Sequence, residues 1–333
     1  MGLVVLAAVC VATLVVVMYL LLIWWLDRYE REPLWVVGLT FLWGALGGTI
    51  LSCVINSLTG SVLALGVGQE AGNVVTVVMV APIVEEFMKA FVFVFLVGAG
   101  NQLDNKTDGL IYGAATGLGF ACVENLYYYA STFDPSQPEA LFGVIFIRTM
   151  FTALVHCISS ALLGMTIGYA RHRSGMARWL IWPLLGYIMA VFNHGVWNGL
   201  ATMSGSFATQ SAELAALTLL FSMGLVVCAS VMMFALTQHS LNSEHKIIKR
   251  FLLEEASRGV LPKEHAEIIP YWLKRRKGGW LSDRIPREPY VKAATLLAFR
   301  HHQLEIARGE RKRKYLEDIA RLRKTVHDYH RQG

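Results

Sequence analysis

Apolar residues in the first two-thirds of this chain run in blocks rather than alternating. Seven blocks, near residues 3–26, 34–58, 74–98, 109–130, 141–170, 179–202 and 213–237, are long enough to cross a hydrocarbon core that needs roughly 20 residues. Inside a bilayer such a block must satisfy its own backbone, which makes it a helix. The pattern predicts an all-α polytopic membrane bundle of about seven transmembrane helices. The first block has no basic leader and no small-residue cleavage site, so it is expected to stay attached rather than be removed as a signal peptide. Beyond residue 237 the blocks stop. A helix is expected from Ser243 to Ser257, ended by Gly259 and Pro262. A loop-rich middle follows, with Pro270, Gly278, Gly279, Pro286 and Pro289, then a helical stretch from about Tyr290 to Val326, interrupted near Gly309.

Charge divides the chain at the same place. Residues 1–237 hold 8 Lys/Arg and 12 Asp/Glu, whereas residues 238–333 hold 22 and 12, a net of +10. The whole-chain value of +6 therefore averages a transmembrane domain (1–237) with a basic C-terminal domain (238–333). Loops carrying Arg28 and Arg31, Lys106, and Arg171, Arg173 and Arg178 alternate with loops at 59–73, 131–140 and 203–212 that hold no Lys or Arg. Under the positive-inside rule this places the N-terminus outside and the basic tail in the cytoplasm. The tail is expected to be a solvated, helical region lying against anionic lipid. Its Arg311–Lys314 run comes with no nucleic-acid reading motif, so no specific nucleic acid is expected. The five cysteines are scattered through apolar blocks and form no CxxC pair, which suggests neither a disulfide framework nor a thiolate metal site.

Against this background the polar residues inside the blocks stand out. The ionisable ones are Glu85, Glu86 and Lys89 in the third, Glu124 in the fourth, Arg148 and His156 in the fifth, and His194 in the sixth, with Asn125, Asn193 and Asn198 nearby. An intramembrane carboxylate costs several kcal/mol, so such residues mark functional sites by default. Adjacent helical residues diverge by about 100°, so Glu85 and Glu86 are not expected to face one partner, and Lys89 can neutralise either. Taking about 1.5 Å per residue, Glu85 lies near mid-membrane, and Glu124 and His194 fall about 22 Å from the inner ends of their helices. Convergence in one layer of the outer half follows. Glycines at 113, 117 and 119 make the fourth helix slim enough for close approach.

Two imidazoles and a carboxylate from separate helices, with a spare glutamate, match the components of a metal-assisted hydrolase. A metal-free chemistry, in which Glu85 activates water and the histidines stabilise the oxyanion, uses the same residues. In either, Asn198, one turn from His194, can donate to the developing oxyanion. Chains of acids and histidines also mark proton- or ion-coupled transporters, and a non-catalytic membrane scaffold is a third class. Absence of an internal repeat weighs against the transporter.

The segments DRYEREP (27–33), EEFMK (85–89), DGLIYGAATGLGFACVEN (108–125), the His156 region and HGVWN (194–198) together resemble the PrsW family of intramembrane proteases. More remotely they are similar to the superfamily of CAAX prenyl endopeptidases, whose pattern is EExxxR, FxxxH, a lone His and HxxxN. Here the lysine of EEFMK stands one residue earlier than that arginine, and Glu124 stands where the superfamily has a histidine. The resemblance implies a protease of single-pass membrane proteins, with an anti-sigma factor cut near the extracytoplasmic side as the family's best-known task. By the same resemblance Glu124 would carry the superfamily histidine's role, which leaves the metal-dependent and metal-free chemistries both open. The expected site has Glu124, His156 and His194 holding Zn²⁺, Glu85 as general base, and Glu86 and Asn198 in the other catalytic roles. Lys89, Asn125 and Arg148 support them.

Overall fold

The computed structural model describes residues 2–98, 102–134, 136–171, 173–307 and 309–331. Among these the secondary structure is helical and no strand forms. The helices are α1 Gly2–Leu26, α2 Leu34–Val67, α3 (69–98), α4 Lys106–Ser131, α5 Glu139–Ala170, α6 Ala177–Phe207 and α7 Ala212–Ser257, then α8 Lys263–Ile268, α9 Trp272–Arg276, α10 Arg287–Ile306 and α11 Glu310–Arg331. Gly68, with φ of 89°, breaks α2 from α3, a backbone shape a side chain would strain. Gly309, with φ of 59°, interrupts the last helical stretch where the sequence pattern placed the break.

The fold is the expected all-α polytopic one. Among the described residues five helices, α1, α2, α5, α6 and α7, are long and apolar enough to cross a membrane. The sequence reading counts seven. The other two, α3 and α4, form as helices but carry Glu70, Glu85, Glu86, Lys89, Lys106, Asp108 and Glu124. These charges lower their hydropathy while leaving the helical backbone intact. Large apolar side chains such as Trp35, Leu58, Phe95, Phe192 and Phe234 are exposed along the bundle, as a lipid-facing surface requires.

The chain forms two compact units. The first comprises residues 1–25 and 32–235, the second residues 26–31 and 236–333. At the centre of the first unit α4 is buried along 107–121. Its N-terminus is closed by a capping box, in which the Asn105 side chain accepts from the Asp108 amide and Asp108 accepts from the Asn105 amide. From there α4 runs antiparallel to α5 in one sustained register. A Cβ on Gly109, Gly113 or Gly117 would lie 2.0, 2.1 or 2.2 Å from the carbonyl oxygens of Gly164, Ser160 and His156. Only hydrogen fits in such backbone-to-backbone contact. The same register, carried two turns further, brings Asn125 opposite Arg148. On another face of α4, a Cβ on Gly119 would lie 2.0 Å from the Phe41 carbonyl, and one on Gly44 of α2 would lie 1.9 Å from the Thr116 carbonyl. Residues 148–152 of α5 and 76–80 of α3 are π-helical, wide turns that shift the helical register and recur at functional sites.

In the second unit, Ile248, Phe251 and Leu252 of α7 pack with Leu297 and Ala298 of α10 and Ile319 and Val326 of α11. The buried Glu255 carboxylate accepts two bonds from Arg323, at 2.6 and 2.7 Å, and lies 3.1 Å from His301. Residues 26–31 join this unit. The Tyr29 hydroxyl donates to the Pro270 carbonyl at 3.1 Å, Arg275 donates to the Arg28 carbonyl, and the Arg28 guanidinium lies over the Trp272 ring. The DRYEREP segment is therefore divided, since Glu32 belongs to the first unit, where it accepts from the Tyr112 hydroxyl.

Candidate metal centre

Four helices carry one buried polar network. Glu85, Glu86 and Lys89 come from α3, Glu124 from α4, His156 from α5 and His194 from α6. Glu86 and Lys89 are fully buried, and His156 and His194 nearly so. The register of α4 against α5 sets part of this. Gly117 touches the His156 backbone, and one turn later Phe120 packs on the His156 ring at 5.2 Å and beneath the Lys89 ammonium at 4.0 Å.

Lys89 chooses Glu86. Its ammonium donates to Glu86 Oε1 at 2.8 Å and to His156 Nδ1 at 2.9 Å. The i+4 pairing with Glu85, equally open in the sequence, is not the one formed. An ammonium has no acceptor, so His156 Nδ1 accepts and its proton sits on Nε2, which stands 2.7 Å from Glu124 Oε2. Glu124 is held on its other oxygen by Arg148 at 3.1 Å, and the Arg148 guanidinium stacks over Tyr128 and donates to Asn125 Oδ1.

His194 lies between the two adjacent glutamates. Its Nδ1 is 2.9 Å from Glu86 Oε1 and its Nε2 is 3.7 Å from Glu85 Oε2. The expectation that the pair could not face one partner therefore does not hold, because an imidazole offers a nitrogen on each side. With the Glu86 carboxylate as acceptor, Nδ1 carries the proton and the Nε2 lone pair points toward Glu85. Glu85 Oε2 is buried and receives no hydrogen bond, while its Oε1 accepts from Asn56 Nδ2 at 3.2 Å. Two buried acceptors facing each other repel unless a proton or cation lies between them.

A ligand atom each from Glu85, His156 and His194 falls within 4.8 Å of the other two. This is a His₂Glu set of the kind zinc takes, and the Glu86 carboxylate behind His194 is the usual outer partner of a metal-bound imidazole. The residues fit a divalent cation on that observation. The grouping differs from the sequence reading in one member: Glu85 converges with the two histidines, whereas Glu124 stands behind His156 and is ion-paired to Arg148.

Two asparagines cap the wide turns. Asn198 Nδ2 donates to the Val77 carbonyl at 3.0 Å, and Asn125 Nδ2 to the Arg148 carbonyl at 3.2 Å, each in a π-helical stretch. An oxyanion role for Asn198 requires its bond to Val77 to open. Three contributors escaped the sequence reading. Asn56 of α2 donates to Glu85, Ser160 donates to Glu86 Oε2 at 3.3 Å, and Ser159 accepts from Asn193 at 2.8 Å. The only sequence signal for Asn56 is that it is an amide in an otherwise apolar helix, four residues after Ser52.

Comparison with known proteins gives the family. The chain is 30% identical over 175 residues to Protease PrsW of Geobacillus kaustophilus, covering 52% of this chain and 70% of that protein. It is 26% identical over 178 residues to Protease PrsW of Bacillus subtilis (53% and 74%), and 28% identical over 173 residues to Protease PrsW of Clostridioides difficile (52% and 69%). No solved structure matches it. A family model described as PrsW family intramembrane metalloprotease matches residues 32–244, a span that holds every residue of the polar network, and the chain belongs to that family.

Proposed function

We propose that this protein is an intramembrane endopeptidase that hydrolyses a peptide bond of single-pass membrane proteins. The observation that carries the reading is the facing pair of acceptors, Glu85 Oε2 and His194 Nε2, with His156 in ligand reach of both. Glu85, His156 and His194 would hold Zn²⁺, which when bound polarises a scissile carbonyl and acidifies a water. Glu86 keeps His194 in the tautomer whose Nε2 lone pair is free. Lys89 keeps Glu86 ionised and holds the His156 ring. For His156 to coordinate a cation through Nε2, its one proton would shift to Nδ1 and the Lys89 bond to Nδ1 would open, while Glu124 stays ion-paired to Arg148. The network thus holds its protons at stated atoms and excludes competing donors from Glu85.

One observation favours a second reading. Both nitrogens of His156 already have partners, Lys89 and Glu124, which suits a metal-free mechanism in which Glu85 Oε2 takes the proton of the attacking water. The two readings separate in one experiment. Purified protein is assayed on a single-pass substrate in detergent with and without chelation, alongside metal analysis of the wild type and His194→Ala. In the metal reading the wild type carries stoichiometric zinc, chelation abolishes cleavage, zinc restores it, and His194→Ala loses the metal. A fully active metal-free preparation leaves the glutamate mechanism standing. Glu85→Gln with near-wild-type cleavage removes both.

The resemblance to PrsW proteases extends the proposal to an anti-sigma factor as substrate, cut near the extracytoplasmic side. The alternation of basic and non-basic loops supports seven spans, with the N-terminus outside and residues 238–333 in the cytoplasm. In that arrangement residues 1–237 carry the chemistry, and the basic region meets anionic lipid. Reporter fusions at the loops and the C-terminus test the orientation.

A further inference from the structure

We propose that Asn56 is a positioning residue for Glu85, an inference that rests on the reading of Glu85 given above. Asn56 lies on a stripe of α2 with Gly44, Gly48 and Ser52, spaced four apart. Gly44 touches the Thr116 backbone, and a Cβ on Gly48 would lie 3.4 Å from the Phe120 ring and 3.8 Å from Lys89 Cγ. Small residues thus seat α2 against α4 and α3, and the stripe ends on the carboxylate. There Asn56 Nδ2 donates to Glu85 Oε1 at 3.2 Å, whereas Oε2 accepts no hydrogen bond from any described residue.

A glutamate's terminal torsion is broad and two-fold, so an unanchored carboxylate presents either oxygen. The bond to Oε1 selects one orientation and directs Oε2 toward His194 Nε2, 3.7 Å away. A neutral amide suits this task. Lysine or arginine at position 56 would pair with Glu85 and quench its basicity, and an apolar residue would leave both oxygens without a donor. The remaining Asn56 oxygen is itself buried and unpartnered, so the amide is not diverted to other bonds.

The test uses full-length protein in detergent, zinc as the probe, and a chromophoric chelator as competitor. Asn56→Leu, which keeps the volume and removes the donor, is expected to weaken zinc binding by about 10- to 100-fold, the usual loss for an outer partner of a ligand. It is also expected to lower kcat at unchanged KM. Asn56→Gln, which keeps an amide donor, recovers part of both. In a Glu85→Gln background Asn56→Leu has no further effect on zinc affinity, because the two residues act as one unit. Ser52→Ala, on the same stripe but with a hydroxyl that makes no hydrogen bond, stays at wild type. If Asn56→Leu does not fold, Asn56→Ala replaces it. Wild-type zinc affinity and kcat in the folded variant overturn the proposal, as does an undiminished effect in the Glu85→Gln background. Should Glu85→Gln itself behave as wild type, the reading of the site fails before this inference is reached.

Discussion

Replacing Gly117 by alanine puts a carbon atom where the backbone of α5 already lies. Glycine to alanine in a helix is ordinarily favourable by about 1 kcal/mol, because alanine restricts the unfolded chain and glycine does not. Here the new Cβ would stand 2.2 Å from the His156 carbonyl oxygen and 2.6 Å from its carbon. Ordinary contact begins near about 3.5 Å, so the two helices must part by more than about 1 Å. No flexible side chain can yield in their place. Overpacking of this kind costs about 1–3 kcal/mol, which more than offsets the propensity gain. The atom pushed away belongs to His156 itself, whose ring holds partners at 2.9 and 2.7 Å. A misplacement of about 1 Å at such a site lowers turnover on the order of a hundredfold. The assay pairs thermal unfolding by circular dichroism with cleavage of a single-pass substrate. Gly109→Ala and Gly113→Ala meet nearly the same clash, at 2.0 and 2.1 Å, two turns and one turn further from the network respectively. All three should lose similar stability, with the cleavage loss greatest for Gly117→Ala and least for Gly109→Ala. Gly143→Ala on α5, where a Cβ meets nothing within 4 Å, should be neutral or slightly stabilising. Equal cleavage losses across the three positions, or a wild-type Gly117→Ala, would refute the argument.

Three further outcomes follow from the same geometry. Lys89→Met leaves the Glu86 carboxylate buried with only His194 and Ser160 as partners; a loss of about 3–5 kcal/mol in thermal or denaturant unfolding is expected, and a stability within 1 kcal/mol of wild type would contradict it. Arg323→Ala removes the bidentate partner of the buried Glu255, but Arg323 is 36% exposed and His301 and Arg258 remain. A smaller loss of about 1–3 kcal/mol is therefore expected, read as faster hydrogen exchange in α11 with the α4 amides unchanged. In the second unit, burial pushes His265 below the ordinary histidine range, with His330 adding to the effect. The folded state therefore binds fewer protons than the unfolded one between the lowered value and about 6.5. The stability of this unit is full above about pH 6.5 and declines as pH falls through that window. Exchange in α8 and α10, corrected for intrinsic rates, should accelerate accordingly, and a flat profile from pH 7.5 to 5.5 would count against the assignment.

Block length and apolarity were enough to read an all-α membrane protein, and small residues at four-residue spacing announced a tight α4 contact. The partner was not legible: glycine spacing says that a helix comes close, but not that Gly117 meets His156 or that Asn125 thereby meets Arg148. The ionisable residues of the network were all visible as candidates, yet their pairings depend on tertiary geometry. Glu85 and Glu86 are equally placed for Lys89 by spacing, and only the position of His156 makes the i+3 choice. Asn56 sits among Ser52, Ser57 and Thr59 in a helix with no acid of its own, so nothing local links it to Glu85. The seven-block count exceeds the five sufficiently apolar helices by α3 and α4, the two helices that carry Glu85, Glu86, Lys89 and Glu124 of the network.

The capture of residues 26–31 by the second unit also bears on how the chain is made. Tyr29 finds its acceptor at Pro270, 241 residues later. At a synthesis rate of about 5–20 residues per second, Tyr29 exists for on the order of ten to fifty seconds before Pro270 does. Throughout that time Arg28 and Tyr29 lack the partners they have in the folded protein. In the folded protein Arg28 and Tyr29 are half-buried against Trp272, Arg275 and Pro270, so a loop written early in the chain is completed only by residues written late. A chain halted before residue 270 would hold every residue of the polar network, while Tyr29 would lack its acceptor at Pro270.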